Sequence, residues 1–266
     1  MKPLTTTTTP AILALLLCAV VAGCGGDDLG AAAEPDPPVG TPVLPDLMPK
    51  PQNNVLTQKV DGRWRIRFNT IIVNVGEGDF LLRALRDVRG GWKTEQDIPY
   101  SREGAKRVPI RAKLVWGGDG HEHWHIERVA VVQLVPLAAD GRVEQGAKPL
   151  VDAKVGFCFY DHTHEVPRGL AEPRYSAKSC GKRDTTVVGM GLSPAWNDTY
   201  RMGLPGQAID VTDLPDGRYR LYTDVDPQGW FHERSTRNNR TWIDLELTRT
   251  PQGLAAPTVG KGPAPS

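Results

Sequence analysis

Between residues 46 and 248 apolar positions recur in short runs, many with a period of two, and no stretch keeps a helical period. In "RWRIRFNTIIVNVG" (63–76), Trp64, Ile66 and Phe68 alternate with Arg63, Arg65 and Arg67 ahead of a glycine-containing turn. A period of two sends alternate side chains to opposite faces of an extended strand. "ERVAVVQLV" (127–135), "KVGFCFYD" (154–161), "YRLYTDVD" (219–226) and "RTWIDLEL" (240–247) are similarly short and rich in β-branched or aromatic residues, the composition of strands. "DLPDGRYRLY" (213–222) sets a Pro-Asp-Gly turn before its strand. Only "DFLLRALRDV" (79–88) looks helical, and it reads equally as a strand. The pattern predicts a mainly β fold, a β-sandwich with long loops and little helix.

Composition adds to this. The 28 Gly and 23 Pro in 266 residues favour turns over long helices. Charge is balanced, with 32 Lys plus Arg against 31 Asp plus Glu, so nothing argues for a nucleic-acid partner. The first residues, "MKPLTTTTTPAILALLLCAVVAGC", hold one early lysine and an apolar run too short to span a bilayer, ending in small residues before a cysteine. Residues 1–23 read as a lipoprotein-type signal peptide and Cys24 as the lipidated mature N-terminus. The chain is therefore expected to be exported, in the cell envelope or at the cell surface, with membrane contact only through the lipid anchor. Residues 24–45 read as the lipidated Cys and a flexible Gly-, Ala- and Pro-rich linker, 46–248 as the folded domain, and 249–266 as a disordered tail. Without Cys18 and Cys24, only Cys158 and Cys180 remain, most simply a disulfide in an oxidising compartment. On the chain-entropy model such a bridge stabilises by about 3 kcal/mol.

Candidate chemistry concentrates in "GHEHWHIERVAVVQL" (120–134). His121, His123 and His125 share one face of a strand, and their outer Cα atoms would lie roughly 13 Å apart if fully extended. They reach one ion only where the strand bends or enters a sheet. Three imidazoles suit copper or zinc and leave an open position. "YDHTHEV" (160–166) supplies His162 and His164 in what reads as a polar loop, and His232 stands alone. A zinc hydrolase would need a carboxylate base beside the metal; Glu122 falls on the opposite face and Glu127 alone is aligned.

Ordered segments extend the reading. "DAKVGFCFYD" (152–161), "GLSPAWNDTY" (191–200), "IDVTDLPDGRYRL" (209–221) and "DPQGWFHERSTRNN" (226–239) follow one another as in the lysyl oxidase catalytic domain. Upstream, "RWRIRFNTIIVNVGEGDF" (63–80) and "GHEHWH" (120–125) also resemble that family, so the resemblance covers roughly residues 46–247 in motif order. It implies copper on His121, His123 and His125, and a lysine tyrosylquinone formed from Lys154 and Tyr200. It implies oxidative deamination of a primary amine, peptidyl lysine or a small amine, by O2 to an aldehyde, hydrogen peroxide and ammonia. A quinone offers the electron sink that side chains lack, and the proton abstraction needs a base. Asp198, two residues from Tyr200, is the candidate.

Cys158 fits the family's cysteine after Lys-x-x-Phe, and Pro227, Glu233, Asn238 and Asn239 resemble its closing turn, where Asn side chains commonly tie backbone. Gly117-Gly118 and Trp196-Asn197 depart from the family's Trp-His and Cys-Tyr, which bears on pocket shape and substrate. The alternative class is a non-catalytic β-sandwich surface lipoprotein that binds copper or zinc through the histidines and needs neither Lys154 nor Tyr200.

Overall fold

Strands realise nearly all of the alternating pattern. The computed structural model describes residues 36–262 apart from 53, 118–121, 144–145 and 166–171, and leaves the side chains of 151, 152 and 154 undescribed. The expected signal peptide, Cys24, the first part of the linker and His121 lie outside the described residues. In chain order the strands are β1 (Leu47–Pro49), β2 (Val55–Val60), β3 (Arg63–Phe68), β4 (Thr70–Asn74), β5 (Phe80–Arg86), β6 (Trp92–Pro99), β7 (Ala105–Ile110), β8 (Leu114–Gly117) and β9 (His123–Pro136). They continue with β10 (Val151–Phe157), β11 (Thr163–His164), β12 (Val187–Leu192), β13 (Trp196–Tyr200), β14 (Ala208–Asp210), β15 (Gly217–Val225), β16 (Arg240–Thr250), β17 (Gly253–Ala255) and β18 (Thr258–Lys261). A single turn of 3-10 helix, Ala177–Cys180, is the only helix among the described residues, and none there is long and apolar enough to cross a membrane.

The largest sheet runs β10-β9-β15-β16, with β8 also on β9 and both β17 and β18 on β16. Three smaller sheets have the orders β1-β4-β13-β11, β12-β5-β6-β7 and β14-β3-β2. One core gathers Ile72, Phe80, Ile126, Phe157, Phe159 and Leu192, where the largest sheet meets the first two smaller ones. A second gathers Ile66, Phe68, Leu134, Leu221 and Ile243 under β2, β3 and β14. The mainly β class is thus what the chain adopts.

"DFLLRALRDV" resolves to strand β5. Phe80, Leu82 and Ala84 are buried, and Leu81, Arg83 and Leu85 are half-buried. At both ends the chain is more ordered than its composition indicates. Val39 and Pro42, placed in the linker, bridge to Glu103 and Tyr100 beside β6 and β7. The expected disordered tail supplies the end of β16 and then β17 and β18, which pair back on β16. Glycine makes this possible, because a Cβ on Gly262 would stand 2.1 Å from the Trp242 ring.

The closing turn also differs in kind from the expectation. Asn238 Nδ2 donates to Asp46 Oδ1 at 2.7 Å and Asn239 Nδ2 donates to Glu233 Oε1 at 2.7 Å, so these amides hold carboxylates and not backbone. Glu233 also accepts from the Leu47 N–H at 2.8 Å. Burial pushes its carboxyl up to about 7, with Asp226 and Asp46 adding to the shift and the two hydrogen bonds opposing it. In the unfolded chain the group titrates near 4.5. The folded state therefore holds the extra proton between these values. The stability contributed by this group is full below about pH 4.5 and falls as pH rises through about 7, by about 3 kcal/mol in all. Glu233→Gln is expected to remove most of this loss, since Asn239, whose Oδ1 has no hydrogen-bond partner among the described residues, can turn to accept from the new amide. Denaturant unfolding at pH 5 and pH 8 checks it; an unchanged pH slope in the variant would refute the assignment.

Candidate active site

The histidine run sits where β9 enters the largest sheet. Residues 123–126 pair with β8, Gly117 opposite His123 and Val115 opposite His125, and Glu127 N–H donates to the Lys113 carbonyl at 2.7 Å. At Arg128 the backbone takes a positive φ of 56°. Beyond it β9 leaves β8 and pairs with β15 from Ala130 onward. Against β10, Ile126 pairs with Phe157 and Ala130 with Val155, so β9 carries two extra residues between those pairs. Such a bulge re-aims a strand end. The irregularity of β9 thus falls beyond His125, outside the histidine run.

His125 is buried and His123 half-buried, with ring centroids 4.6 Å apart. With a metal–nitrogen bond of about 2.0 Å, two imidazoles meeting on one ion near a right angle hold their centroids roughly 4.5 Å apart. The centroid separation is compatible with a common ion. Imidazole donors suit copper or zinc. Among the described residues no group of three His, Cys, Asp or Glu is assembled for a metal, and the third expected ligand, His121, lies outside them.

β10 runs beside this strand end. Lys154 pairs with Val131 through the backbone. Two residues on, Gly156 lies against the histidine: a Cβ there would stand 3.2 Å from His125 Cβ and 3.0 Å from the Ile126 carbonyl. Tyr200 closes the site from β13. Its hydroxyl accepts from the Cys158 N–H at 2.9 Å, its ring lies 4.1 Å from Phe157, and the His125 ring is 5.7 Å away. Burial pushes the Tyr200 phenol well above its ordinary value, the Asp198 charge adds to this, and the Cys158 N–H opposes it. Cys158 and Cys180 form the expected disulfide, with Cα atoms 5.9 Å apart.

Asp198 is fully buried, and neither carboxylate oxygen makes a hydrogen bond of normal geometry among the described residues. Burial therefore holds its pKa well above the carboxylate range; the nearby Thr199 N–H offsets part of the shift and Asp161 adds to it. Burial thus favours the neutral form of the Asp198 carboxyl. A metal ion or a substrate ammonium would bring the pKa down and free the carboxylate to act as a base.

The other histidines stay apart. His164 packs on Trp196 with centroids 4.9 Å apart, while His232 is exposed and exchanges only backbone bonds with Gln96. His162 lies 5.9 Å from the Tyr160 ring, and burial and then Arg201 lower its pKa. Glu127 reaches Arg128, which leaves it partnered by an arginine. Local pattern alone did not single out Trp124, Gly156 or Tyr160. Tyr160 is half-buried, and burial followed by the Asp198 charge raises its phenol. Beside the strand end an open groove of about 670 Å³ is lined by Trp116, Glu122, Lys182, Arg183 and Asp184, a mixed-charge wall. A depression lined by Lys50, Gln52, Ile71 and Lys261 shares none of the site's residues.

Fold and site together define a mainly β domain that brings a His-x-His strand end and a buried tyrosine onto one strand, β10. A family model described as Lysyl oxidase matches residues 99–254, more than half of the chain, and the chain belongs to the lysyl oxidase family. It is similar to the protein-lysine 6-oxidase of Gallus gallus, 27% identical over 143 residues that cover 53% of this chain and 30% of that protein. Lysyl oxidase homolog 1 of Homo sapiens is 27% identical over the same length, 22% of its own. Lysyl oxidase homolog 4 of Homo sapiens is 29% identical over 175 residues, 65% of this chain and 18% of that protein. The matched stretch thus spans less than a third of each of these three relatives.

Proposed function

We propose that this protein is an exported copper-dependent amine oxidase. It would convert a primary amine, O2 and water to an aldehyde, ammonia and hydrogen peroxide. One observation carries this reading above the rest. The Tyr200 hydroxyl is fixed on the backbone of the segment that bears Lys154, with the His125 ring 5.7 Å from the Tyr200 ring. A metal-binding sandwich needs the histidines but has no use for that convergence.

In this reading His121, His123 and His125 hold copper, and Lys154 and Tyr200 are the precursors of a lysine tyrosylquinone. Copper with O2 supplies the oxidant for making the quinone, and the quinone supplies the electron sink that a primary amine needs. The chain's own residues do the rest. The Cys158 N–H orients the Tyr200 phenol, and Phe157 covers one side of its ring. Asp198, buried beside Tyr200, would be the group that accepts the proton from the substrate carbon. The lipoprotein-type start of the chain supports a location in the cell envelope, with lipid on Cys24 as the anchor.

Peroxide release tests the function directly. Protein matured with copper in air is expected to release peroxide from a primary amine or a lysine-containing peptide, and none from the same peptide with its lysines acetylated. Copper binding without peroxide release from any amine would favour the non-catalytic sandwich.

A further inference from the structure

The histidine strand and the tyrosine are joined by a second route that the chemistry above does not use. Trp124 stands between His123 and His125, and strand alternation turns it away from both. It is buried, and its Nε1–H donates to the Lys182 carbonyl at 2.9 Å. Its ring packs edge-on against Trp92 and Trp116, with centroids at 4.9 and 5.3 Å, and the Arg86 guanidinium lies 5.4 Å from its centre.

Lys182 is the joint. Its carbonyl also accepts from the Thr185 N–H at 3.0 Å, and its own N–H donates to Thr185 Oγ1 at 2.7 Å. Gly181 before it has φ 70°, and a Cβ there would meet the Thr185 side chain at 2.8 Å. A turn closed this way has little freedom to move its carbonyl. One residue earlier is Cys180, bonded to Cys158, and Cys158 supplies the N–H that holds the Tyr200 hydroxyl. The connection therefore runs from the histidine strand through Trp124, Lys182 and Cys180 to Cys158 and Tyr200.

We propose that Trp124 is a positioning residue, and that the Lys182 turn and the Cys158–Cys180 disulfide form with it a brace that fixes the His123–His125 strand end relative to Tyr200. The inference rests on the reading of the two histidines as metal ligands for its consequence, but not for its geometry. Partners one step removed from metal ligands set ligand orientation, and their loss typically weakens binding by ten- to a hundredfold. Trp124 acts here through strand placement, without touching the ion.

The test uses the full exported chain in three variants: Trp124→Phe, which keeps a ring and removes the N–H; Cys158→Ala with Cys180→Ala; and all three changes together. Two quantities are read. One is amide hydrogen exchange at residues 123–126 in metal-free protein, with the β16 amides as an internal control. The other is copper(II) affinity with the electron paramagnetic resonance spectrum of the bound ion. Each lesion alone is expected to speed exchange at 123–126 while the β16 amides hold. Each is also expected to weaken copper by about tenfold and alter the spectrum. Combined, they should do little more than the larger single effect, because both open one connection. Mild reduction of the disulfide in the unmutated protein gives the same readout without relying on variants that fold.

Unchanged exchange at 123–126 in Trp124→Phe, or effects of the two lesions that multiply, would overturn the brace. A failure of the unmutated protein to bind copper would count against the metal reading, and the metal-free exchange would still decide the brace.

Discussion

Tyr200→Phe is expected to abolish amine turnover, by at least about a thousandfold, while the domain stays folded. The side chain keeps its ring, so its packing on Phe157 and beside His125 survives. What is lost is the oxygen that makes the ring oxidisable to a quinone, together with one hydrogen bond from Cys158. Leaving that buried N–H without its partner costs about 1–3 kcal/mol, a shift of a few degrees in melting temperature. Lys154→Arg should give the same loss of turnover, because a guanidinium stays protonated and cannot add to the ring. Peroxide release and thermal unfolding measured together separate chemistry from folding. Turnover that survives both substitutions would rule out the cofactor.

The second large effect is expected at the metal. His125→Ala removes one of the two neighbouring imidazoles and leaves space beside Gly156 and Tyr200. Copper(II) affinity, measured by competition with a chelator, is expected to fall by at least about a hundredfold. His123→Ala should behave similarly with a smaller effect on stability, since that ring is half-buried. By contrast, Glu127→Gln should leave copper affinity within about twofold, as its carboxylate is turned to Arg128. A large loss with Glu127→Gln would revive a carboxylate in the metal site.

Much of the fold was legible because strand alternation is a local property. Arg63 to Phe68, the β9 run and the β15 and β16 segments fall where the period of two puts them. Alternation also fits β5, whose leucines and alanine satisfy a helical pattern about as well; burial on one side of its sheet decides the matter. The ends depart from their composition for a different reason. Glycine and proline disfavour strands in general, yet β18 pairs on β16, and just after it Gly262 faces Trp242 too closely for a side chain.

For the site, spacing gave the histidine face, and motif order gave Lys154, Tyr200 and the cysteines. The rest depends on contacts between residues far apart in the chain. The Tyr200–Cys158 bond spans 42 residues, Trp124–Lys182 spans 58 and Leu47–Glu233 spans 186. No local period records which carbonyl an indole will reach. Asp198 illustrates the gap: its place two residues from Tyr200 was readable, but its full burial was not.

The most direct measurement is peptide mass spectrometry on protein matured with copper in oxygenated medium and digested after denaturation. The peptide containing Lys154 and the peptide containing Tyr200 are expected to run as one covalently joined species that survives reduction of the disulfide. Separate, unmodified peptides recovered from fully copper-loaded protein would contradict the quinone and leave a metal-binding β domain.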